Sequence, residues 1–289
     1  MRGFFAGATL TAGAGGIVQL SKTFESDAIE TFEQAVLSLD AKLSEEQRHL
    51  LLCWDEVPDL VESIAEREGI ASAASFLQTF RRIRQSTRSI RWLVAGSVGF
   101  HHIRDRIGVE VDVVNDMQGV PFGPLNEPHA RWLADCLLDF IVRDRVVEVG
   151  ERLVERSGRM PFLLHAIAHQ IWQRRPAALA QSDVDDAFVA YVNDTDKSHA
   201  VTHFLARIDD YYAEKASLAR AILDGLTPRG TIQFDTIEEF TKAISASRDQ
   251  LLAVLDLLKL DHYLIESVRS GFSWRYPVLG EIWHQRRRI

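Results

Sequence analysis

Two short, uninterrupted apolar runs on either side of one long helical stretch constrain this chain most. LLLCW (50–54) ends abruptly in Asp55-Glu56, and IRWLVAGS (90–97) closes in small residues. Apolar runs of this length without polar alternation suit strands buried on both faces of a parallel sheet. Helical periodicity from about residue 60 to 85, interrupted near Gly69, supplies the crossover that a parallel pair requires. Another amphipathic helix precedes them, with Ala28, Ile29, Phe32, Val36, Leu39 and Leu43 at helical spacing over 26–43. Residues 109–124 read as loop and strand. Asn126 then caps a helix running to about 142, with Pro128 in its first turn. Strand and helix alternation makes residues 1–145 part of a parallel α/β sheet.

The pattern changes after that. Residues 146–212 carry almost no strand signal and read as helices over 147–157, 160–174, 182–193 and 199–212, with Ser182-Asp183 as a helix start. The last section, 213–289, holds three helical segments ending near Leu260. HYLIES (262–267), a turn at Arg269-Ser270-Gly271 and FSWRYP (272–277) follow as a β-hairpin. Helices followed by a hairpin suggest a winged helix. The expected fold is therefore α/β: a partial parallel sheet, an all-α segment and a C-terminal winged helix.

Composition excludes several classes. The 33 basic and 41 acidic residues give a net charge of −8, which disfavours an overall nucleic-acid or membrane-surface binder. Over 207–289 the count is 12 basic and 12 acidic residues, so that section reads as a protein-contact module and DNA as an unlikely partner. Two cysteines, Cys53 and Cys136, are too few for a disulfide framework. No apolar run approaches the roughly 18–20 residues of a membrane span. Five glycines in the first sixteen residues make a poor secretory signal, so the expected location is cytoplasmic.

An apolar strand ending in two acids has the form of a Walker B element. The strand fixes Asp55 at the carboxyl edge of the sheet, where Mg²⁺ and nucleotide phosphates sit in such folds. Glu56 then projects where it polarises a water for attack on the γ-phosphate. Ser97, at the end of the second run, lies beside Asp55 if the strands are neighbours. Three other features carry less. His165/His169 and His199/His203 have the i,i+4 spacing of metal ligands but no third partner, so they read as ordinary histidines. Arg81, Arg82, Arg84 and Arg88 read as a solvated helix face, with an arginine finger as the alternative. Arg248, Asp249, Gln250, Asp256 and Lys259 give the second-last helix a mixed outer surface.

DEVPDL, SFLQTFRRIRQ, IRWLVAGSVGFHHI, VNDMQGVPFGPLNEPHARWLADCLL and RSGRMPFLLHAIAHQIW together resemble the STAND branch of AAA+-type P-loop ATPases, from about residue 45 to the C-terminus. The resemblance implies a P-loop core (1–145), a helical lid (146–212) and a winged helix (213–289). It implies ATP and Mg²⁺ as ligands, Asp55 and Glu56 as Walker B, Ser97 as sensor 1, and Gly158-x-x-Pro161 as a variant of the lid motif beside the adenine. The implied role is a nucleotide-controlled switch with a protein partner or as a homo-oligomer.

The phosphate loop departs from this pattern. GxxxxGK[ST] cradles phosphates with backbone N–H groups and a lysine. The nearest stretch here is Gly16 to Thr23, with Ser21 in place of the second glycine and Lys22-Thr23 as the cationic and Mg²⁺-facing pair. The favoured expectation is a chain that begins inside the ATPase domain and lacks its first strand and Walker A, hence a weak or inactive ATPase. A working variant loop and a natural degenerate ATPase remain alternatives. Two other functions stay open: a non-catalytic interaction module that keeps only the fold, and a winged-helix DNA-binding regulator.

Overall fold

A computed structural model of the chain describes residues 9–12, 18–21, 26–97, 99–108, 113–120, 122–142, 147–194, 198–269 and 271–289. They belong to two compact units, Met1–Gly119 and Val120–Ile289.

In the first unit β1 (Thr9–Ala12) and β2 (Val18–Ser21) form an antiparallel pair. Then come α1 (Ser26–Glu45), β3 (Leu50–Trp54), α2 (Val57–Glu68), α3 (Ile70–Ser86), β4 (Ile90–Val94) and α4 (Phe100–Ile107). Strands β3 and β4 pair in parallel, in register from Leu50↔Ile90 to Trp54↔Val94. The crossover breaks at Gly69, whose φ of 92° lies where a side chain is disfavoured, so one periodic stretch becomes two helices. Helix α4 was not foreseen. Its inward Ile103 and Ile107 are too few to announce a period. Of the expected loop-and-strand region, 113–120 and 122–124 contain no strand.

The two runs are strands, but they are not buried on both faces. Trp54, Trp92 and Val94 face one packed cluster, and Leu50, Leu52 and Ile90 face its neighbour. Leu51 is 59% exposed and Leu93 46%. Among the described residues, α1, α2 and α3 supply the apolar side chains packed on one side, so burial follows the strand period of two. An all-apolar run hides that alternation from the sequence.

Helix α1 is tied to the sheet by one carboxylate. Asp40 accepts from the backbone N–H of Arg88 (3.1 Å), Ser89 (2.7 Å) and Ile90 (3.0 Å), at the turn that launches β4. Two ion pairs fix α3. Arg82 meets Glu33 through two 2.6 Å bonds. Arg84 meets Asp116 at 2.8 Å and stacks over Phe80. Burial raises the Asp116 pKa, but its bonds and charge attraction to Arg84 outweigh that and leave it lowered.

The second unit begins with four packed helices: α5 (Glu127–Ile141), α6 (Val147–Arg156), α7 (Pro161–Arg174) and α8 (Gln181–Asn193). Asn126 caps α5 as expected, its side chain accepting from the N–H of His129 at 3.0 Å. Helix α8 starts one residue before the expected Ser182, because Asp183 reaches back to the N–H of Ala180 (2.7 Å). Next are α9 (His199–Tyr212), α10 (Ala216–Leu226), β5 (Thr231–Ile232), α11 (Phe234–Thr241), α12 (Arg248–Leu260), β6 (Leu264–Ser267), β7 (Gly271–Trp274) and α13 (Pro277–Arg287). The expected hairpin is present, and β5 joins it in an antiparallel sheet of order β5-β7-β6.

One continuous core runs through this unit. Polar links cross it: Arg156 to Glu281 at 2.7 Å, Trp283 Nε1–H to Asp224 at 2.7 Å, and Tyr212 O–H to Asp261 at 2.6 Å. Burial, with the Asp261 charge behind it, pushes the Tyr212 phenol far above its ordinary range, so it stays a donor. No helix among the described residues is long and apolar enough to cross a membrane.

Candidate functional site

The parallel pair ends at one edge in a small carboxylate site. Trp54 is the last residue of β3, and its ring packs edge-on against Phe32, Phe76 and Phe80. With that ring anchored inside, the chain leaves the sheet at a fixed point. The N–H of Ala95 donates to the carbonyl of Trp54 at 2.9 Å, and the N–H of Val57 donates back to the carbonyl of Ala95 at 3.3 Å. These two bonds pin the Asp55-Glu56 corner against the Ala95–Ser97 turn. The sequence reading missed the aromatic box, although Phe76 and Phe80 lie one helical turn apart.

Turning the corner forces Glu56 into the left-handed region, φ 53° and ψ 39°, immediately before α2. A residue with a Cβ pays roughly 1–2 kcal/mol there. The consequence is geometric: the Glu56 carboxylate reaches across to the turn after β4 and accepts the backbone N–H of Ser97 at 2.9 Å. Asp55 bends the other way, its Oδ1 accepting the N–H of Glu56 at 3.0 Å. All three side chains are exposed. The structure thus brings the Glu56 carboxylate to the backbone amide of Ser97 and leaves two exposed carboxylates, Asp55 and Glu56, as hard oxygen donors at the end of β3. Mg²⁺ favours one or two carboxylates while keeping water ligands, so this donor set fits it.

The left-handed corner has a direct test. Glycine is free of the Cβ penalty there, so Glu56→Gly is expected to be more stable than Glu56→Ala by about 1 kcal/mol. At an ordinary helix-flanking position the order reverses. Urea unfolding of the two variants reads it, and an equal or less stable glycine variant refutes the strain.

The other expected site residues fall elsewhere. Lys22 and Thr23 lie outside the described residues, and the described part of their stretch, Val18–Ser21, is strand β2. Gly158 and Pro161 belong to the second unit. Gly158 follows α6 with φ 57°, where a Cβ would run into Val278, and Pro161 opens α7. Arg82 and Arg84 are taken by Glu33 and Asp116, so the basic cluster is partly structural. On α7, His169 bonds Gln173 at 2.8 Å and stacks on Trp172, and His165 and His169 gather no third ligand among the described residues. The side chain of His199 lies outside the described ones. Both cysteines are free and exposed.

No protein-family model matches the chain, and no curated protein does. The fold is similar to that of a solved structure, the Walker-type ATPase PABY2304 of Pyrococcus abyssi, with a TM-score of 0.59 and 14% sequence identity. The match covers 89% of this chain and 67% of that one. At this identity the likeness concerns the fold: a P-loop-ATPase-like arrangement of small parallel and antiparallel sheets in a mostly helical chain.

Proposed function

We propose that this chain is an ATP-binding switch of the AAA+/STAND type, with Mg·ATP at the edge of β3 and β4. The observation that carries the reading is the corner itself: two adjacent carboxylates at the carboxyl end of β3, which pairs in parallel with β4, the second left-handed and accepting the amide of Ser97 in the turn after β4. In this reading Asp55 holds Mg²⁺ and Glu56 orients a water. Ser97 senses the γ-phosphate, its N–H already committed to Glu56. Bound Mg²⁺ would neutralise phosphate charge; the lysine for the same purpose is Lys22, followed by Thr23. Gly158 and Pro161 mark the lid, residues 146–212, and hydrolysis is weak.

The C-terminal module, 213–289, is read as a winged helix on its element order, α10-β5-α11-α12-β6-β7, and its strand order. Its reading helix, α12, argues against duplex DNA. Its exposed face carries Leu252, Leu260, Asp249 and Asp256, and Lys259 is already paired with Asp256 and Glu266. Phosphates demand uncompensated cations. The module therefore contacts protein, and the switch acts in the cytoplasm.

Calorimetric titration with Mg·ATP tests the reading. Binding is expected, weakened at least tenfold in Asp55→Asn when Mg²⁺ is present and unchanged between the two proteins when it is absent. Glu56→Gln is expected to keep binding and lose about a hundredfold in hydrolysis. No isotherm for the wild type, or one indifferent to Asp55→Asn, leaves the non-catalytic interaction module as the function.

A further inference from the structure

The second unit holds a cleft of about 640 Å³ between the turn after α10, strands β5 and β7, and one side of α13. Its size falls within the roughly 300–1,000 Å³ of ordinary ligand sites. Pro228, Trp274 and Pro277 give it rigid apolar walls. Helix α13 adds Gly280, Glu281 and His284, whose spacing places them along one side of the helix. Thr231 and Ser273, opposite one another in the β5–β7 register, also line it. Pro228, Thr231, Pro277 and His284 are exposed, so the cleft opens to solvent along a rim.

A buried donor at this cleft is unspent. Trp274 is 7% exposed, and its Nε1–H has no hydrogen-bond partner among the described residues. The neighbouring Trp283, with ring centroids 5.9 Å apart, donates its own N–H to Asp224. Buried polar groups are nearly always paired, so the orphan calls for a reason. Gly280 shows where it lies. A Cβ there would fall 2.7 Å from Trp274 Cδ1 and 2.8 Å from Nε1. The pyrrole edge of the ring therefore rests on α13, at a residue that lines the cleft. The acceptor side is committed: Glu281 takes Arg156 at 2.7 and 2.9 Å, and that pairing leaves little for a charged ligand.

Rigid apolar walls, an unspent N–H and an open rim fit a proline-rich chain. Each proline lacks an N–H, so a polyproline II stretch brings carbonyl acceptors without donors that need partners. It is also stiff and already extended, and its rings lie flat on aromatic walls. We infer that the cleft binds a proline-rich peptide in the polyproline II conformation. Its rings pack on Pro228, Trp274 and Pro277, and one carbonyl draws the indole edge off Gly280 and accepts from Nε1–H. The inference concerns a surface apart from the nucleotide corner and from α12, and it holds whether or not nucleotide binds.

Calorimetric titration of the full chain with a ten-residue polyproline peptide reads it. Saturable binding is expected, and none with a glycine-serine peptide of equal length. Trp274→Phe keeps an aromatic ring and removes the N–H, so it is expected to weaken binding about tenfold. Thr231→Glu, at an exposed position outside the core, sets a carboxylate against the peptide carbonyls and is expected to weaken binding by a similar factor. Both are checked for wild-type circular dichroism, and Thr231→Glu carries the test if Trp274→Phe does not fold. A wild type that ignores the peptide, equal binding of the glycine-serine peptide, or a folded variant that binds like the wild type each overturns the inference. Binding of free indole without binding of the peptide also overturns it, and makes the cleft a small-molecule site.

Discussion

Replacing Gly158 with alanine is expected to destabilise the second unit by about 2–4 kcal/mol, with or without nucleotide. Two costs add. The backbone at φ 57° is one that alanine adopts at about 1 kcal/mol more than glycine. The new Cβ then falls 2.7 Å from Val278 Cγ1 and 3.1 Å from Val278 Cβ, in a well-packed core where an added methyl typically costs about 1–3 kcal/mol. Val278 is buried at the start of α13, and its β-branched side chain has little freedom to turn away. For a unit of this size the loss corresponds to roughly 5–10 °C in Tm. Adding Val278→Ala to Gly158→Ala should recover the steric part and leave the backbone part, a coupling that a double-mutant cycle measures. If Gly158→Ala unfolds like the wild type, or the second substitution recovers nothing, the glycine is not there for this contact.

The second large effect is expected at Asp40. Its carboxylate receives three backbone N–H groups at the start of β4, and Ser89 and Ile90, which own two of them, are buried. Removing the acceptor leaves donors that water reaches poorly, so Asp40→Ala should cost about 3 kcal/mol. Asp40→Asn keeps one oxygen without the charge and should cost about half as much. Hydrogen exchange over residues 26–97 is the direct readout, because unfolding of a chain with two units need not be two-state. Loss of protection is expected to centre on β4 and the turn before it, and to extend to the amide of Ser97. An alanine variant within about 1 kcal/mol of wild type, with unchanged exchange at Ser89 and Ile90, refutes the role. The prediction bears on function, since β4 leads into the turn whose Ser97 amide meets Glu56.

Gly158 and Asp40 also separate what was readable from what was not. Gly158 stood out in the sequence only through the resemblance, as part of a Gly158-x-x-Pro161 lid motif between two helical segments. Its contact with Val278 did not, because 120 residues of sequence separate the two. Asp40 stood out in no way: an acid near the end of an amphipathic helix looks like any solvated side chain until the β4 turn is brought to it. Trp54 behaves similarly. As part of LLLCW it marked a strand, but only packing against Phe32, Phe76 and Phe80 makes it the anchor of the corner that follows.

Local chemistry therefore determined most of the helices, though not α4 or α13, and with them the two parallel strands, the C-terminal hairpin and the adjacency of Asp55 and Glu56 at a strand end. These depend on periods, caps and turn residues within a window of a few residues, and such signals survive in one dimension. Tertiary structure alone decided which face of the parallel pair is covered and that Glu56 turns left-handed to meet the amide of Ser97. It also decided that Arg82 and Arg84 are spent on ion pairs and that the Trp274 ring rests on Gly280. Each of these depends on groups far apart in sequence competing for the same space or the same hydrogen bond, and the chain settles that competition only once it is folded.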